Sequence, residues 1–597
     1  MGKTASLPKV LLTTALLVAV AVWPLYPLAV QAASGRQTSP KPTLEEGELA
    51  SIVLPQKDAQ NLDGVLSDLQ DASEQSDQAA KTFSSQRGIE LDSPDTVTVL
   101  LVSEPGTSAE DIDEQALADK GVEVIKSTDN IIKATVPIDQ LEEVAEDVEG
   151  VSMVQLPPPP EIDAVQSEGV GLTGTSLYHA SGSAGAGVKV AVIDVAFGQL
   201  AAAKASGDIP GSAIGIDCSG AACISSSFSS GETDDHGVLV AETVYDMAPG
   251  AQLYLIKVND HLDLIDAKDF AIANGVRIVN FSAGWHAYFN FHDGTCYPSQ
   301  PTSPVCTVND AVAHGILWVN AAGNQALKHF SETYVDANSD GYHDDNIFFF
   351  AYAGESIRLN LTWEAWPVTN QDYDLYVYDD STNRIIGASA AFQSTPPSEP
   401  RENISTIAPH SGWYSVLVNK YDASSNHRFL IHSGNSFHEL FPSVASGSIV
   451  TPADAASAFT VGAIDYTAWA TGPQESFSSQ GPTNSGLIKP DIAGPDFTTT
   501  SLGEFGGTSS ASPHVAGAAA TLLSANPTYT ASQLRDALQN SAIDMGAVGR
   551  DSVYGFGRLA LPGLSPLVVT TPVTSVVATA ATFTGTVHPR GSAISLN

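Results

Sequence analysis

Three polar side chains in this sequence have the types and the order that nucleophilic catalysis by a serine requires. Asp194 ends the apolar run KVAVID, His236 begins a segment expected to be helical, and Ser509 lies in the stretch GGTSSASPHVAG. A serine hydroxyl is a weak nucleophile at its ordinary pKa, so it needs an imidazole as base and a carboxylate that orients this imidazole. The sequence therefore predicts an Asp-His-Ser arrangement suited to acyl transfer.

The stretch around Ser509 predicts the start of a buried helix. Gly506 and Gly507 allow a sharp turn, residues 508–510 are good N-cap residues, and the apolar run 511–523 has Pro513 in its first turn. The N–H groups and the positive end of such a helix favour an oxyanion. A Gly-Thr-Ser sequence is also typical of a plain capped turn, so the remaining motifs decide between these interpretations.

Further motifs follow one another in an order that resembles the subtilisin-like serine peptidases (subtilases). They are Asn280-Phe281-Ser282-Ala283-Gly284, Ala321-Ala322-Gly323-Asn324, SAFTVGAIDY (457–466), FSSQGPT (477–483) and KPDIAGP (489–495). The chain order of acid, imidazole and serine is also that of subtilases. The resemblance spans residues 188–523 and implies a subtilisin-like α/β fold, with a mostly parallel sheet flanked by helices.

This resemblance also implies the roles of individual residues. Asp194, His236 and Ser509 would be catalytic, and Asn324 would donate its side-chain amide to the oxyanion. The substrate would bind along Ser282, Ala283 and Gly284 and along Ala321, Ala322 and Gly323. The sequence departs from the family at Val195 and Ala196, which replace a hydroxyl residue and a glycine after the acid. Backbone N–H groups are therefore expected to hold the Asp194 carboxylate.

The N-terminal part is typical of a secreted proenzyme. Residues 1–32 predict a signal peptide, with an uncleaved membrane anchor as the alternative. Residues 33–94 form a polar pro-region that is expected to be partly disordered or loosely helical. Residues 95–160 predict a ferredoxin-like α+β domain followed by a proline-rich linker. By resemblance to the family this domain is an intramolecular inhibitor, and we hypothesise self-cleavage within residues 161–171.

The catalytic domain is expected in two parts, residues 161–335 and 436–563. Between them, residues 336–435 predict an inserted calcium loop and all-β sandwich, because SIRLNLTW, DYDLYVYD and GWYSVLVNKY alternate apolar and polar residues. Substrate docking, control of access and a spacer that only adds stability stay open as roles for the insert. Residues 564–597 predict the start of an immunoglobulin- or fibronectin type III-like module in a chain that continues further, with a short edge hairpin as the alternative.

The acidic segment 336–345 is a candidate for structural calcium. Asp336, Asn338, Asp340 and Asp344 match positions of a calcium-binding loop, and Asp345 is the substitute for the missing final glutamate. A solvated acidic turn is the alternative. A second ion could lie among Asp372, Asp374 and Asp379, although alternating acids on a solvent-exposed face explain them equally well. No organic cofactor is expected.

The four cysteines and the net charge indicate the compartment in which the protein works. Cys218 with Cys223 and Cys296 with Cys306 form two close pairs, and local disulfides are the natural pairing in an oxidising compartment, with free thiols as the alternative. The net charge of −41 argues against nucleic acid and for an acidic extracellular protein. We expect no membrane association after signal removal, while attachment to the cell surface stays open.

Together these features predict a secreted serine endopeptidase that acts on proteins or peptides and processes itself from a proenzyme. The alternative is an inactive relative that binds peptides or mediates adhesion through the inserted β module. A processing protease with strict sequence preference is a third hypothesis. The small residues Ala283, Ala321 and Ala322 argue weakly against it, because they predict a roomy cleft.

Overall fold

The protein is described here by a computed structural model. The described residues are 61–87, 89, 91–93, 95–104, 106–157, 161–162, 169–228, 234–393, 398–434 and 438–563, with four short strands between 567 and 588. The predicted signal peptide and the first part of the polar pro-region lie outside the described residues. Within the described part of the chain, none of the helices has both the length and the apolar character that a membrane crossing needs.

Residues 61–157 form an N-terminal domain of helices on an antiparallel sheet. Its helices are α1 (Gly64–Gln75), α2 (Asp77–Arg87), α3 (Glu114–Asp119) and α4 (Leu141–Asp147), and its strands are β1 (Leu91–Ser93), β2 (Thr96–Ser103), β3 (Glu123–Ser127), β4 (Ile131–Pro137) and β5 (Val151–Gln155). The order β5-β2-β4-β3 is that of a split β-α-β-β-α-β unit, and β1 pairs with the start of β2. Leu66 and Leu69 bury α1 in the domain core, so this part of the polar pro-region is helical and packs on the sheet.

The next segment supplies the first half of an α/β domain. Its elements are β6 (Glu161–Ile162), α5 (Thr175–Ala180), β7 (Lys189–Asp194), α6 (Leu200–Ser206), β8 (Ile214–Asp217), β9 (Ile224–Ser225), α7 (His236–Met247), β10 (Gln252–Lys257), α8 (His261–Ala273), β11 (Ile278–Phe281), β12 (Ala283–Gly284), α9 (Pro304–Ala313) and β13 (Leu317–Ala321). Disulfides join Cys218 to Cys223 and Cys296 to Cys306, which confirms the predicted local pairing.

A β-sandwich, the β-module (residues 329–433), interrupts this domain. Its strands are β14 (His329–Thr333), β15 (Ile347–Ala351), β16 (Ser356–Trp363), β17 (Asp372–Asp379), β18 (Arg384–Ser389), β19 (Arg401–Ile407), β20 (Gly412–Asp422) and β21 (Arg428–Ser433). They form two antiparallel sheets, β14-β21-β16-β19 and β15-β20-β17-β18. The β-module begins before the expected residue 336, because β14 pairs along its whole length with β21. The acidic segment 336–345 therefore lies inside it, between β14 and β15.

The chain then returns to the α/β domain. The elements are β22 (Phe459–Asp465), β23 (Ile492–Asp496), β24 (Thr498–Thr500), β25 (Gly503–Phe505), α10 (Thr508–Ala525) and α11 (Ala531–Ser541), followed by β26 (Leu567–Thr570), β27 (Ser575–Val577), β28 (Ala580–Thr582) and β29 (Gly585–His588). Among the last four strands, β26 pairs with β29 and β27 with β28.

The central sheet has eight strands in the order β23-β22-β13-β11-β7-β10-β8-β9, and every neighbouring pair is parallel except β8 with β9. Val190 and Val192 of β7 pack into the apolar layer that contains α7 and α10, while Ala191 and Ile193 face the layer that contains α8 and α9. Burial on both faces explains the unbroken apolar run of this strand. The α/β fold predicted from the sequence is confirmed.

Candidate active site

The candidate site lies where three neighbouring parallel strands of the central sheet end. Asp194 is the last residue of β7, Ser282 follows β11 directly, and Asn324 follows β13 within the next turn. The carboxyl ends of parallel strands lie on one edge of a sheet, and ligands bind at this edge in open α/β folds. The topology thus brings together residues that are far apart in the sequence.

The buried Asp194 carboxylate is held by an imidazole and by the backbone. His236 Nδ1 lies 2.9 Å from both carboxylate oxygens, and the Val195 N–H donates to Oδ1 at 2.9 Å. A buried carboxylate needs such partners, and the backbone donor is the one expected from the departure at Val195. A Cβ atom on Gly237 would lie 2.4 Å from the Ala196 carbonyl oxygen, so this glycine lets α7 begin close to β7.

Ser509 lies in the first turn of α10 and is tied to the end of β11. Its Oγ donates to the Ser282 carbonyl oxygen at 2.9 Å, and the Ser282 hydroxyl donates to the Ser509 carbonyl oxygen at 3.0 Å. The helix begins at Thr508, three residues before the apolar run that predicts it. Phe505, just before the helix, packs edge-on against His236 with ring centroids 5.6 Å apart.

The Asn324 amide has a fixed orientation because Thr508 holds its oxygen. The Thr508 N–H and hydroxyl both donate to Asn324 Oδ1, at 2.9 and 3.0 Å. The Thr508 hydroxyl in turn accepts from the Gly323 N–H at 3.0 Å. Since the amide oxygen is occupied in this way, the NH₂ group is the donor end that Asn324 can present to a ligand.

A cleft of about 210 Å³ opens beside Ser509. Its lining includes five of the predicted substrate-binding residues: Ser282, Ala283, Gly284, Ala321 and Gly323. The sixth, Ala322, is fully buried in a small apolar cluster with Ile449, Val450 and Ala453. It supports the wall of the cleft from behind.

The strand at the rim of this cleft is already paired with another strand of the same chain. Ala283 and Gly284 of β12 pair antiparallel with Ile162 and Glu161 of β6. In this register β6 runs alongside β12 in the direction from Gly284 towards Ser282. The Ser282 carbonyl oxygen is the acceptor for the Ser509 hydroxyl. The segment that follows the N-terminal domain therefore adds a strand to the edge at which an extended peptide would bind.

Hydrogen bonds between residues of the predicted calcium loop define its conformation. Asp336 accepts from the N–H groups of Asp340 and Gly341, and Asp344 accepts from the N–H of Ala337. Asn338 and Asp340 similarly accept from backbone N–H groups within the loop. Asp345 lies elsewhere, in a group with Glu332 and His343. Calcium in this loop stays a prediction.

Sequence reasoning missed a group of buried histidines behind the cleft. His286 lines the cleft and stacks on His432 of the β-module, with centroids 5.4 Å apart and rings within 7° of parallel. His292 and His329 pack against the same His432 ring at 4.6 and 4.7 Å. No sequence signal unites these residues, because His286 and His292 come from one loop while His329 and His432 come from two distant strands. The β-module therefore forms the support behind one wall of the cleft.

Comparison with known proteins defines the class of this fold and site. The model of the Subtilase family matches residues 185–346 and 366–557, which is more than half of the chain. The chain therefore belongs to the subtilase family, as its motifs predict.

Among curated proteins, Subtilisin amylosacchariticus from Bacillus subtilis subsp. amylosacchariticus is 36% identical over 121 residues, covering 19% of this chain and 28% of that protein. Subtilisin from Bacillus pumilus is 38% identical over 124 residues, covering 19% of this chain and 40% of that protein. The chain thus spans less than half the length of these relatives. Among solved structures, the Clostridium perfringens CspB protease has a TM-score of 0.47 and 15% identity, covering 65% of this chain and 95% of that one.

The buried histidines predict that the folded protein loses stability in acid. Burial lowers the pKa of His329 to about 4 and that of His432 well below its usual range, and the neighbouring imidazoles lower the latter further. The unfolded chain takes up these protons near pH 6.5, so stability is intact above this pH and falls as the pH drops towards 4. For His329 alone the loss amounts to about 3 kcal/mol.

Urea unfolding of the Ser509→Ala protein between pH 7.5 and 4 measures this dependence. His432→Phe is expected to flatten the curve, whereas the same experiment with His314→Gln, which changes an exposed imidazole, is expected to leave it unchanged. Equal slopes for all three proteins would contradict the assignment to this cluster.

Proposed function

We propose that the chain is a secreted serine endopeptidase that hydrolyses peptide bonds through an acyl-enzyme and matures by self-cleavage. The observation that carries the proposal is the buried Asp194 carboxylate at 2.9 Å from His236 Nδ1, on the sheet edge where Ser509 lies in the first turn of α10. Membership of the subtilase family and the two disulfides agree with it.

In the proposed reaction His236 takes the Ser509 proton on Nε2, because Nδ1 faces the carboxylate. The serine oxygen attacks the peptide carbonyl, and Asp194 stabilises the imidazolium that forms. The Asn324 amide and the Ser509 N–H donate to the oxyanion. The imidazolium then protonates the leaving amine, and water repeats these steps to release the acid. No metal or organic cofactor enters this chemistry.

The substrate of the first turnover is proposed to be the chain itself. The pairing of Glu161–Ile162 with Ala283–Gly284 supports this, because it places residues at the start of the expected cleavage region on the edge where substrate would bind. We place the cut within residues 161–171. The same edge would afterwards bind other extended proteins or peptides, which backbone pairing selects with little demand on sequence.

The N-terminal domain is proposed to act as an intramolecular inhibitor. Its sheet packs on the start of α8, where Leu100 and Ile131 contact Leu262. Lys133 Nζ lies 2.9 Å from Asp260 and 3.7 Å from Asp263, and Lys126 Nζ lies 2.5 Å from Asp266. Burial opposes the charge of Lys133, but the two carboxylates outweigh it and raise its pKa. This interface would hold the domain beside the cleft after cleavage.

An inactive peptide-binding relative is the second candidate. It rests on one observation: the Ser509 hydroxyl donates to the Ser282 carbonyl oxygen. If this bond persisted in solution, the hydroxyl proton would not reach the imidazole. The peptide edge of β12 would still bind extended chains.

Replacement of Ser509 separates the two candidates. We expect Ser509→Ala to stay full-length and to leave denatured casein intact, because it lacks the nucleophile. The unsubstituted chain and Ser524→Ala, a change near the other end of α10, are expected to be cut within residues 161–171 and to degrade casein. Mass spectrometry and casein release give the readouts. If the chain and its Ser509→Ala version are both uncut and inert, the binding candidate replaces the peptidase.

Replacement of Asn324 tests the oxyanion assignment. Asn324→Ala removes a donor that acts chiefly in the transition state, so kcat on a peptide substrate should fall about 100- to 1,000-fold with KM little changed. Asn426→Ala, an exposed position bonded to Lys420, is the matched control and should keep its kcat. An equal kcat for Asn324→Ala and the parent enzyme would remove Asn324 from the mechanism.

Replacement of Lys133 tests the inhibitory interface. Lys133→Ala leaves Asp260 and Asp263 buried without this cation, which should weaken the complex of cleaved domain and enzyme by about 2 kcal/mol, or roughly 30-fold in Kd. Casein hydrolysis should then begin sooner after self-cleavage, and the domain should separate during gel filtration. Lys120→Ala removes an ion pair within the N-terminal domain and should leave the lag unchanged. Identical lags for both variants would refute the role of Lys133.

A further inference from the structure

Three acidic side chains meet in the interior of the β-module. Asp372 and Asp374 lie on β17, and Glu402 lies on β19 of the other sheet. Each offers a carboxylate oxygen within 4.8 Å of the other two. Their exposed fractions are 0%, 1% and 2%, so the three carboxylates meet away from bulk water.

This burial removes one of the two explanations that the sequence leaves open. A solvent-exposed acidic face cannot account for Asp372 and Asp374, because both are buried. Asp379 belongs to a different group, since its carboxylate accepts from Ser381 and Thr382 and lies 2.8 Å from His410 Nε2. Glu402, which has no sequence motif around it, takes the third position.

A neighbouring amide adds an independent observation. The Gln393 side chain is 98% buried, since only 2% of its surface is exposed, and its Nε2 donates to Glu402 Oε1 at 2.8 Å. Its Oε1 is a buried acceptor with no hydrogen-bond donor among the described residues. A buried acceptor is costly when neither a hydrogen-bond donor nor a cation partners it. This amide adjoins the acidic cluster through Glu402, and a cation bound there would supply such a partner.

A tyrosine hydroxyl contacts this acidic cluster. The Tyr376 hydroxyl donates to Asp374 Oδ2 at 3.0 Å. A phenol in this position also places an ultraviolet chromophore next to the cluster.

We propose that Asp372, Asp374, Glu402 and the Gln393 carbonyl oxygen bind a divalent cation, and that this cation is calcium. Carboxylate and amide oxygens are the donors that hard cations prefer, and calcium accepts six to eight of them in irregular geometry, whereas magnesium demands a near-ideal octahedron. The ion would bridge β17 and β19, and so the two sheets of the β-module. It would stabilise the same module that supports the cleft through His432. The proposal does not depend on peptidase activity.

Calcium titration of the full-length Ser509→Ala protein tests the site without self-cleavage. After treatment with a chelator, isothermal titration calorimetry and thermal unfolding are followed with added calcium. We expect calcium to raise the midpoint of unfolding, and we expect Glu402→Gln in the same background to weaken this binding event about tenfold or more. Asp345→Asn, which changes the partly exposed group with Glu332 and His343, should retain it.

The opposite results overturn the proposal. Absence of calcium binding would mean that the carboxyl groups share protons instead. Loss of binding in Asp345→Asn, with Glu402→Gln unchanged, would assign the ion to the acidic loop region.

Terbium luminescence provides a second test that keeps every carboxylate. Terbium bound beside Tyr376 should emit on excitation of tyrosine, and added calcium should quench the emission by displacement. Tyr376→Phe should lower the emission severalfold, while the calcium affinity shifts by less than about threefold, since all proposed ligands remain. Emission equal to that of the parent Ser509→Ala protein would place the ion elsewhere and refute the site.

Discussion

The close approach of α10 to its neighbours is the constraint on which the rest of the site depends. A Cβ atom on Gly517 would lie 2.4 Å from Met247 Cβ on α7, and one on Gly494 would lie 2.3 Å from the Ala511 carbonyl oxygen. Real Cβ atoms do not tolerate such distances, so only glycine permits this packing. Because the helix is fixed at both contacts, Ser509 is held within hydrogen-bond distance of Ser282. Glycine at positions 494 and 517 is therefore a requirement of geometry.

Much of this site could be predicted from the sequence, for a physical reason. The proposed acyl transfer requires particular residue types. Asp194 ends an unbroken apolar run, and His236 and Ser509 lie in the first turns of helices, so these positions can be recognised in the sequence. The histidines around His432 could not be predicted. His286 comes from the α/β domain and His432 from the β-module, and their stacking depends on how the two pack. Alternation along β17 likewise predicts two faces but not which of them is covered, so the burial of Asp372 and Asp374 emerges only from the structure.

The β-module contacts both the cleft and the N-terminal domain. Its strand β21 carries His432 to the back of the cleft, and its strand β19 contacts the N-terminal domain, where Arg401 bonds to Gln155. The Arg87 Nε also donates to the Ser405 carbonyl oxygen at 3.1 Å. The N-terminal domain therefore rests on both the α/β domain and the β-module. A change in the packing of the β-module would therefore alter both the cleft wall and the contacts of the proposed inhibitory domain.

The shortage of basic residues links these features. The chain has 67 acidic and 26 basic side chains, so few of its carboxylates can have a lysine or arginine beside them. Buried Asp491 takes three of these cations, Lys489, Arg535 and Arg550, at 2.6 to 3.0 Å. The carboxylates at the start of α8 take theirs from the N-terminal domain, which is itself proposed to be cleaved away. In such a chain a bound metal cation can stabilise a further buried acidic cluster, since a hard ion coordinates several oxygens at once.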